Sequence, residues 1–243
     1  GPNKADGYDS TKKISEYFTG SNVYSTGTRQ DTNIDIDGTQ GFSIEFWLKK
    51  PDFSAGSQSS QQVIVDIWNN SSDIASKGSV LVYLSDTDDA KIFVDIRSGS
   101  VQSGYLFDIG ESIDDNSWRH YALTFKNDES SLSSKYFVNG VSKGAGTLSL
   151  GSGDSIESIT GSMVGYIGAL SANPDLAGEG RGKLSGSLDD FRLWKTERTE
   201  KDVQQNWFTN VNGGSNSDYE LAVSSSKKFD LSNNVDLGVY FKF

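Results

Sequence analysis

The sequence predicts an all-β chain, an antiparallel β-sandwich with one short helix near residues 199–207, and three observations carry that prediction. Residues 42–48 (FSIEFWL), 118–125 (WRHYALTF), 136–140 (YFVNG) and 186–194 (GSLDDFRLW) alternate large apolar with polar or small residues. This is the two-residue period of a strand with one face buried. Aromatics make up 12% of the 243 residues and Gly, Ser and Asn are abundant, so the chain has bulk for a core and turn formers to connect many strands. Thr199-Glu200-Lys201-Asp202 opens like a capping box, with Val203 and Trp207 one helical face apart.

In chain order, the first fifteen residues are polar and aperiodic, as in a linker, and Gly1-Pro2 reads as a protease scar. Residues 16–243 are expected to form one sandwich domain, because all-β folds reach this size as single units. Residues 17–24 suggest a short strand broken by a turn, and 51–62 a polar connection. Residues 63–68, 79–84 and 91–97 follow as strands, the last two separated by the acidic turn 85–89. In the third, Ile92, Val94 and Ile96 share one face while Lys91, Phe93, Asp95 and Arg97 share the other. Tyr105 is expected in the turn that comes next. Asn139-Gly140 is a dipeptide that tolerates positive φ in a tight hairpin. Residues 171–182 form a Gly-rich loop, and 237–243 a closing strand expected beside the N-terminal one.

Composition removes several function classes. A net charge of −11 disfavours a nucleic acid phosphate backbone or an anionic membrane as partner. No run is long and apolar enough for a membrane span, and the opening residues lack the apolar stretch of a secretory leader. With no cysteine, disulfides and thiolate zinc sites are excluded together.

The cassettes resemble the concanavalin A-like lectin and laminin-G-like superfamily, whose domains are jelly-roll sandwiches. Trp118 to Phe125 followed by Tyr136 to Gly140 is similar to its strand pair ending in Asp/Asn-Gly, with Arg119 where the first of two histidines usually stands. Residues 166–169 resemble the family's next strand, and 186–194 the strand that precedes its short helix. Arg198 stands where a leucine usually begins that helix turn. A second, shorter resemblance covers residues 206–216 and 236–243, which look like laminin-G-like modules in structural proteins of tailed bacteriophages. It implies a virion or extracellular surface location.

Catalysis is not expected. The Glu-x-Asp-x-Glu strand of related glycosidases is missing, and Asp189-Asp190 would point to opposite faces of a strand. His120, the single histidine, sits within a core strand pattern. Sugar binding asks for an exposed aromatic beside amides and carboxylates, which Trp68, Phe93, Asp95, Arg97 and Tyr105 supply. Calcium is the expected cofactor. The pentraxin branch holds it in two loops that here carry Asn69, Asn70 and Asp73, and Asn173, Asp175 and Glu179. These positions also fit ordinary solvated loops, and Ala169-Leu170-Ser171 replaces the branch's acidic cluster. The expected role is a non-catalytic carbohydrate-binding module that grips glycans of a host surface. The alternative is an assembly module that binds neighbouring virion proteins.

Overall fold

The structure, a computed structural model, describes residues 34–53, 61–69, 71–73, 75–85, 91–108, 112–150, 154–156, 158–159, 161, 163–170, 182–209 and 237–243. The expected strand over 17–24, the loop 171–181 and residues 210–216 and 236 of the stretch with phage resemblance lie outside them.

Two antiparallel sheets face each other. The five-stranded sheet runs in the order β11(Val164–Ile167), β3(Gln61–Trp68), β4(Gly78–Ser85), β5(Lys91–Ser98), β6(Val101–Asp108). The six-stranded sheet runs β13(Leu237–Phe241), β12(Ser187–Trp194), β2(Phe42–Lys49), β7(Trp118–Asp128), β8(Ser131–Val138), β9(Val141–Ser149). A short ladder of β1(Ile36–Asp37) with β10(Ser158–Ile159) stands beside them.

The period of two explains the sandwich. In β2, Phe42, Ile44, Phe46 and Leu48 are buried inward, and register sets Phe42 opposite Phe125 and Ile44 opposite Leu123 of β7. In β5, Ile92, Val94 and Ile96 form the matching inner face, as the alternation predicts. Phe107 of β6 reaches across the gap to Phe125, with ring centroids 6.0 Å apart, so one apolar cluster spans both sheets. Burying about ten such side chains supplies the main driving force of the fold, at roughly 1.5–3 kcal/mol each.

The β8–β9 hairpin turns on two residues, Asn139 with φ 51° and Gly140 with φ 74°, as the Asn-Gly signal predicts. Gly140 is required for space as well, because a Cβ there would lie 2.3 Å from the Trp207 indole. The helix α1(Glu200–Asn206) starts at the predicted capping box: the Asp202 amide donates to Thr199 Oγ1 and the Thr199 amide to Asp202 Oδ2. It packs on the outer face of the six-stranded sheet, where Val203 meets Ala122 and Phe137.

One expectation is corrected. Residues 101–108 form a strand, not a turn, and Tyr105 stands in register with Val94 within it. Small and polar Gln102, Ser103 and Gly104 masked the strand, which is held by its ladder with β5 rather than by intrinsic preference. The terminal strand β13 is paired with β12, Phe241 opposite Phe191, and its expected N-terminal partner over 17–24 lies outside the described residues.

Beneath α1 lies a buried charge network. Glu45 is 1% exposed and faces Arg192 Nη1 at 3.2 Å, Arg198 Nε at 3.4 Å and His120 Nε2 at 3.4 Å. Arg192 also pairs with Asp190 at 2.7 Å and donates to the carbonyls of Thr209 and Asn206. Burial alone would push the Glu45 carboxyl up, but the facing His120, Arg192 and Arg198 together hold it below the usual carboxylate range. A group whose folded value is depressed contributes stability above its unfolded value and loses it as pH falls. Stability from Glu45 is therefore complete above about pH 4.5 and disappears as pH drops from there through the lower folded value. Glu45→Gln should lower the unfolding free energy at pH 7 by about 3–5 kcal/mol, since two buried guanidiniums lose their counter-charge. Denaturant titrations between pH 3 and 7 check both parts: the variant curve should be lower at neutral pH and flatter below about pH 4.5.

Candidate functional site

With α1 covering the outer face of one sheet, the outer face of the five-stranded sheet is the other broad surface. Register arranges its side chains in rows across the strands. Gln102, Arg97, Ser79 and Trp68 form one row, and Gly104, Asp95, Leu81 and Asp66 the next. Phe93 lies opposite Tyr83 in a third.

The chemistry concentrates on β4, β5 and β6. Tyr83 and Phe93 stack with centroids 5.1 Å apart and rings 12° from parallel, and both are half-buried. Beside them Asp95 is half-buried and receives no hydrogen bond or ion pair from a described residue. Burial pushes its carboxyl up, against the opposing pull of the Arg97 charge. The same burial, with the Asp95 charge beside it, raises the Tyr83 hydroxyl. Arg97 turns toward β6, where Nη2 donates to Gln102 Oε1 at 2.6 Å. Gly104, exposed and opposite Asp95, keeps the carboxylate uncovered, since a Cβ there would come within 3.0 Å of Asp95 Oδ1. Alternate side chains along a strand are about 6.8 Å apart, so the ring pair and Asp95 lie within the span of one sugar.

Of the predicted sugar-site residues, Phe93, Asp95 and Arg97 share this face as the alternation said. Trp68 is a correction. It shares the face but is only 4% exposed, and its Nε1 has no hydrogen-bond partner, so it offers no ring to solvent. Tyr105 shares β6 with Gln102 and Gly104, but its register partner is Val94, a core residue, rather than Asp95 or Phe93. Sequence reasoning missed Tyr83, Gln102 and Gly104. Tyr83 was legible, because Val80, Val82 and Leu84 alternate inward and leave Leu81 and Tyr83 on the other side.

The expected metal loop falls at the rim, beside a cavity of about 460 Å³ lined by Asn69, Ser71, Ser76, Lys77, Ser98 and Gly161 among others. Asn69 is a brace of that loop. Its Oδ1 accepts from the Ser71 and Gly78 amides and its Nδ2 donates to the Ser76 carbonyl. Asp73 closes a turn, with Oδ1 accepting from the Ala75 amide. Asn70, Asn173, Asp175 and Glu179 lie outside the described residues. Calcium needs six to eight oxygens, and Asn69 and Asp73 fall short of that set. Among the described residues, no three His, Cys, Asp or Glu side chains are grouped to hold a metal.

Other carboxylates and the histidine are committed elsewhere. Asp190, at φ 53° in a bulge of β12, holds Arg192 and accepts from the Tyr240 hydroxyl, while Asp189 accepts from the Asp190 and Phe243 amides. His120 is fully buried against Glu45 and the Trp207 ring. Asp66 and Asp95 flank Leu81 on one face, about 9.6 Å apart by strand spacing, at the upper limit for an inverting acid–base pair. Asp66, however, is fully buried and does not reach a substrate from that position.

The family follows from the sequence. The model of the Laminin_G_3 family, described as the concanavalin A-like lectin/glucanases superfamily, matches residues 19–204, and the chain belongs to that family. Among solved structures, the fold is similar to the native heptameric SAP-like pentraxin from Limulus polyphemus, with a TM-score of 0.47 and 16% identity over 73% of this chain and 80% of that one. It is also similar to the CBM40 of the Ruminococcus gnavus IT-sialidase bound to α2,3 sialyllactose, with a TM-score of 0.47 and 14% identity over 70% of this chain and 84% of that one. Domains LG4-5 of the mouse laminin alpha1 chain match with a TM-score of 0.40 and 10% identity, over 69% of this chain and 40% of theirs. No curated protein matches the chain.

Trp68→Ala should behave as a core truncation, lowering the unfolding free energy by about 3–5 kcal/mol in a urea titration. A variant of unchanged stability would return Trp68 to the surface.

Proposed function

We propose that the chain is a non-catalytic carbohydrate-binding module whose sugar site is the outer face of the five-stranded sheet. Phe93 and Tyr83 supply the stacking surface, and Asp95, Arg97 and Gln102 receive and donate hydrogen bonds to ring hydroxyls. One observation carries this reading: a stacked, half-exposed aromatic pair stands beside a desolvated carboxylate that no described residue bonds. Leaving a partly buried charged group without a partner costs free energy, and a ligand with donors removes that cost. Sugars combine apolar ring faces with a rim of hydroxyl donors, which suits aromatic rings flanked by polar groups.

The commitments of the other described groups support binding rather than hydrolysis. His120, Asp66 and Asp190 are held in buried or bonded positions, whereas Asp95 stands on the open face. The proposed setting is the surface of a virion gripping host glycans, and it rests on the resemblance of residues 206–216 and 236–243 to phage modules.

A broad glycan array, run with and without calcium on wild type and Phe93→Ala, is the test. Wild type should bind, and Phe93→Ala should weaken binding about tenfold or more, on the order of 1.4 kcal/mol of lost stacking. Its stability should change by less than about 1.5 kcal/mol, because the ring is only half-buried. Silence of the wild type across the array, or full binding by Phe93→Ala, would overturn this assignment.

A further inference from the structure

We propose that the sugar recognised on this face is an amino sugar, with its protonated amine seated on Asp95 and against the rings of Phe93 and Tyr83. The inference rests on the proposed sugar site and narrows its ligand class.

The argument starts with the two requirements of an ammonium group. It needs an anionic acceptor, and it gains further from the negative face of an aromatic ring. Asp95 and the Tyr83–Phe93 pair are neighbours on one sheet face, Asp95 two residues along β5 from Phe93. A neutral hydroxyl would satisfy Asp95 with an ordinary hydrogen bond. An ammonium makes a charge-assisted one, roughly twice as strong, and matches the ring pair as well.

Neighbouring groups leave that role to the ligand. Arg97 is the cation nearest along the strand, and it is drawn off to Gln102 on β6 rather than closing on Asp95. Gly104 leaves the approach from β6 open, where any side chain would crowd Asp95 Oδ1. Burial makes a carboxylate without a hydrogen-bonded counter-charge costly, and it raises the proton affinity of Asp95 against the opposing charge of Arg97. At long range, a chain of net charge −11 attracts cationic ligands and repels sialylated, uronic or phosphorylated ones.

The test uses an array of amino glycans with free amines, together with their neutral parents, read before and after chemical N-acetylation. Wild type should bind the free-amine glycans and lose about tenfold or more when the amines become acetamides. Asp95→Asn should erase that difference and keep weak binding to neutral sugars. The substitution changes the net charge by a single unit, so diffuse attraction between an acidic chain and polyamines would survive it. Binding to polylysine serves as that control and should be equal in the two proteins. Lowering the pH should weaken wild-type binding to free-amine glycans as Asp95 protonates, while Asp95→Asn shows no such decline. Glycan binding that is indifferent to N-acetylation, or an Asp95→Asn variant that retains the preference, would overturn the amino-sugar assignment and leave the sugar site standing. Silence toward every glycan would instead remove the site itself.

Discussion

The buried carboxylate of Glu45 is the constraint on which the rest of the six-stranded sheet depends. Taking one charge out of water costs several kcal/mol, and it is tolerated only when opposite charges and donors surround it closely. Here those partners arrive from separate segments: His120 from β7, Arg192 from β12, and Arg198 from the stretch that leads into α1. Arg192 in turn holds Asp190 of its own strand and the carbonyls of Asn206 and Thr209 at the end of α1. Two carboxylates meet two guanidiniums, so the charges balance only when β2, β12 and the helix are in register. Slipping a strand by one residue would turn Glu45 into the apolar core and strand both arginines.

That network also decides which face can work as a site. Once α1 is fixed, Val203 and Trp207 cover Ala122, Phe137, Trp47 and the His120 ring, and Gly140 gives Trp207 room to lie flat against the hairpin. The outer side of the six-stranded sheet is spent on holding the helix. Across the core, no described helix covers β4 to β6, and although Leu170 closes over Leu81, the side chains of Tyr83, Phe93 and Asp95 stay partly exposed. The same alternation that buries Val94 and Ile96 is what displays Phe93, Asp95 and Arg97. Fold and site are thus one pattern seen from opposite sides of a strand.

How much of this could be read from the sequence depends on whether the signal was local. The cassettes at 42–48, 118–125 and 186–194 became β2, β7 and β12 because period two over aromatic residues has no other stable solution at that length. The capping box and the Asn-Gly turn were equally local, each resting on two neighbouring residues and their backbone. β6 was not legible, since VQSGYLFD has a glycine and polar residues where a strand usually declares itself, and only its ladder with β5 makes it one. Trp68 shows the same limit in another form. Its face was readable from the alternation, but its burial is set by long-range neighbours, and a tryptophan beside asparagines looks the same in sequence whether it is wet or covered.

Glu45 is the sharper case, because its strand pattern marked it as an outward polar residue like any other. An outward position on a strand is exposed only if nothing packs on that side, and α1 packs there, led in by Arg198, 155 residues after Ser43, whose hydroxyl accepts from the Arg198 amide. Periodicity assigns a side chain to a face, and topology then assigns that face to solvent or to a second layer. The two aspartates that matter most illustrate the division. Asp190 and Asp95 both sit on outward-facing strand segments, yet Asp190 has Arg192 and the Tyr240 hydroxyl closed over it, while Asp95 lies between Gly104 and Leu81, neither of which offers a side-chain donor. One carboxylate therefore holds the sheet together. The other lies half-buried with no hydrogen bond from a described residue, and that is the observation on which the proposed site rests.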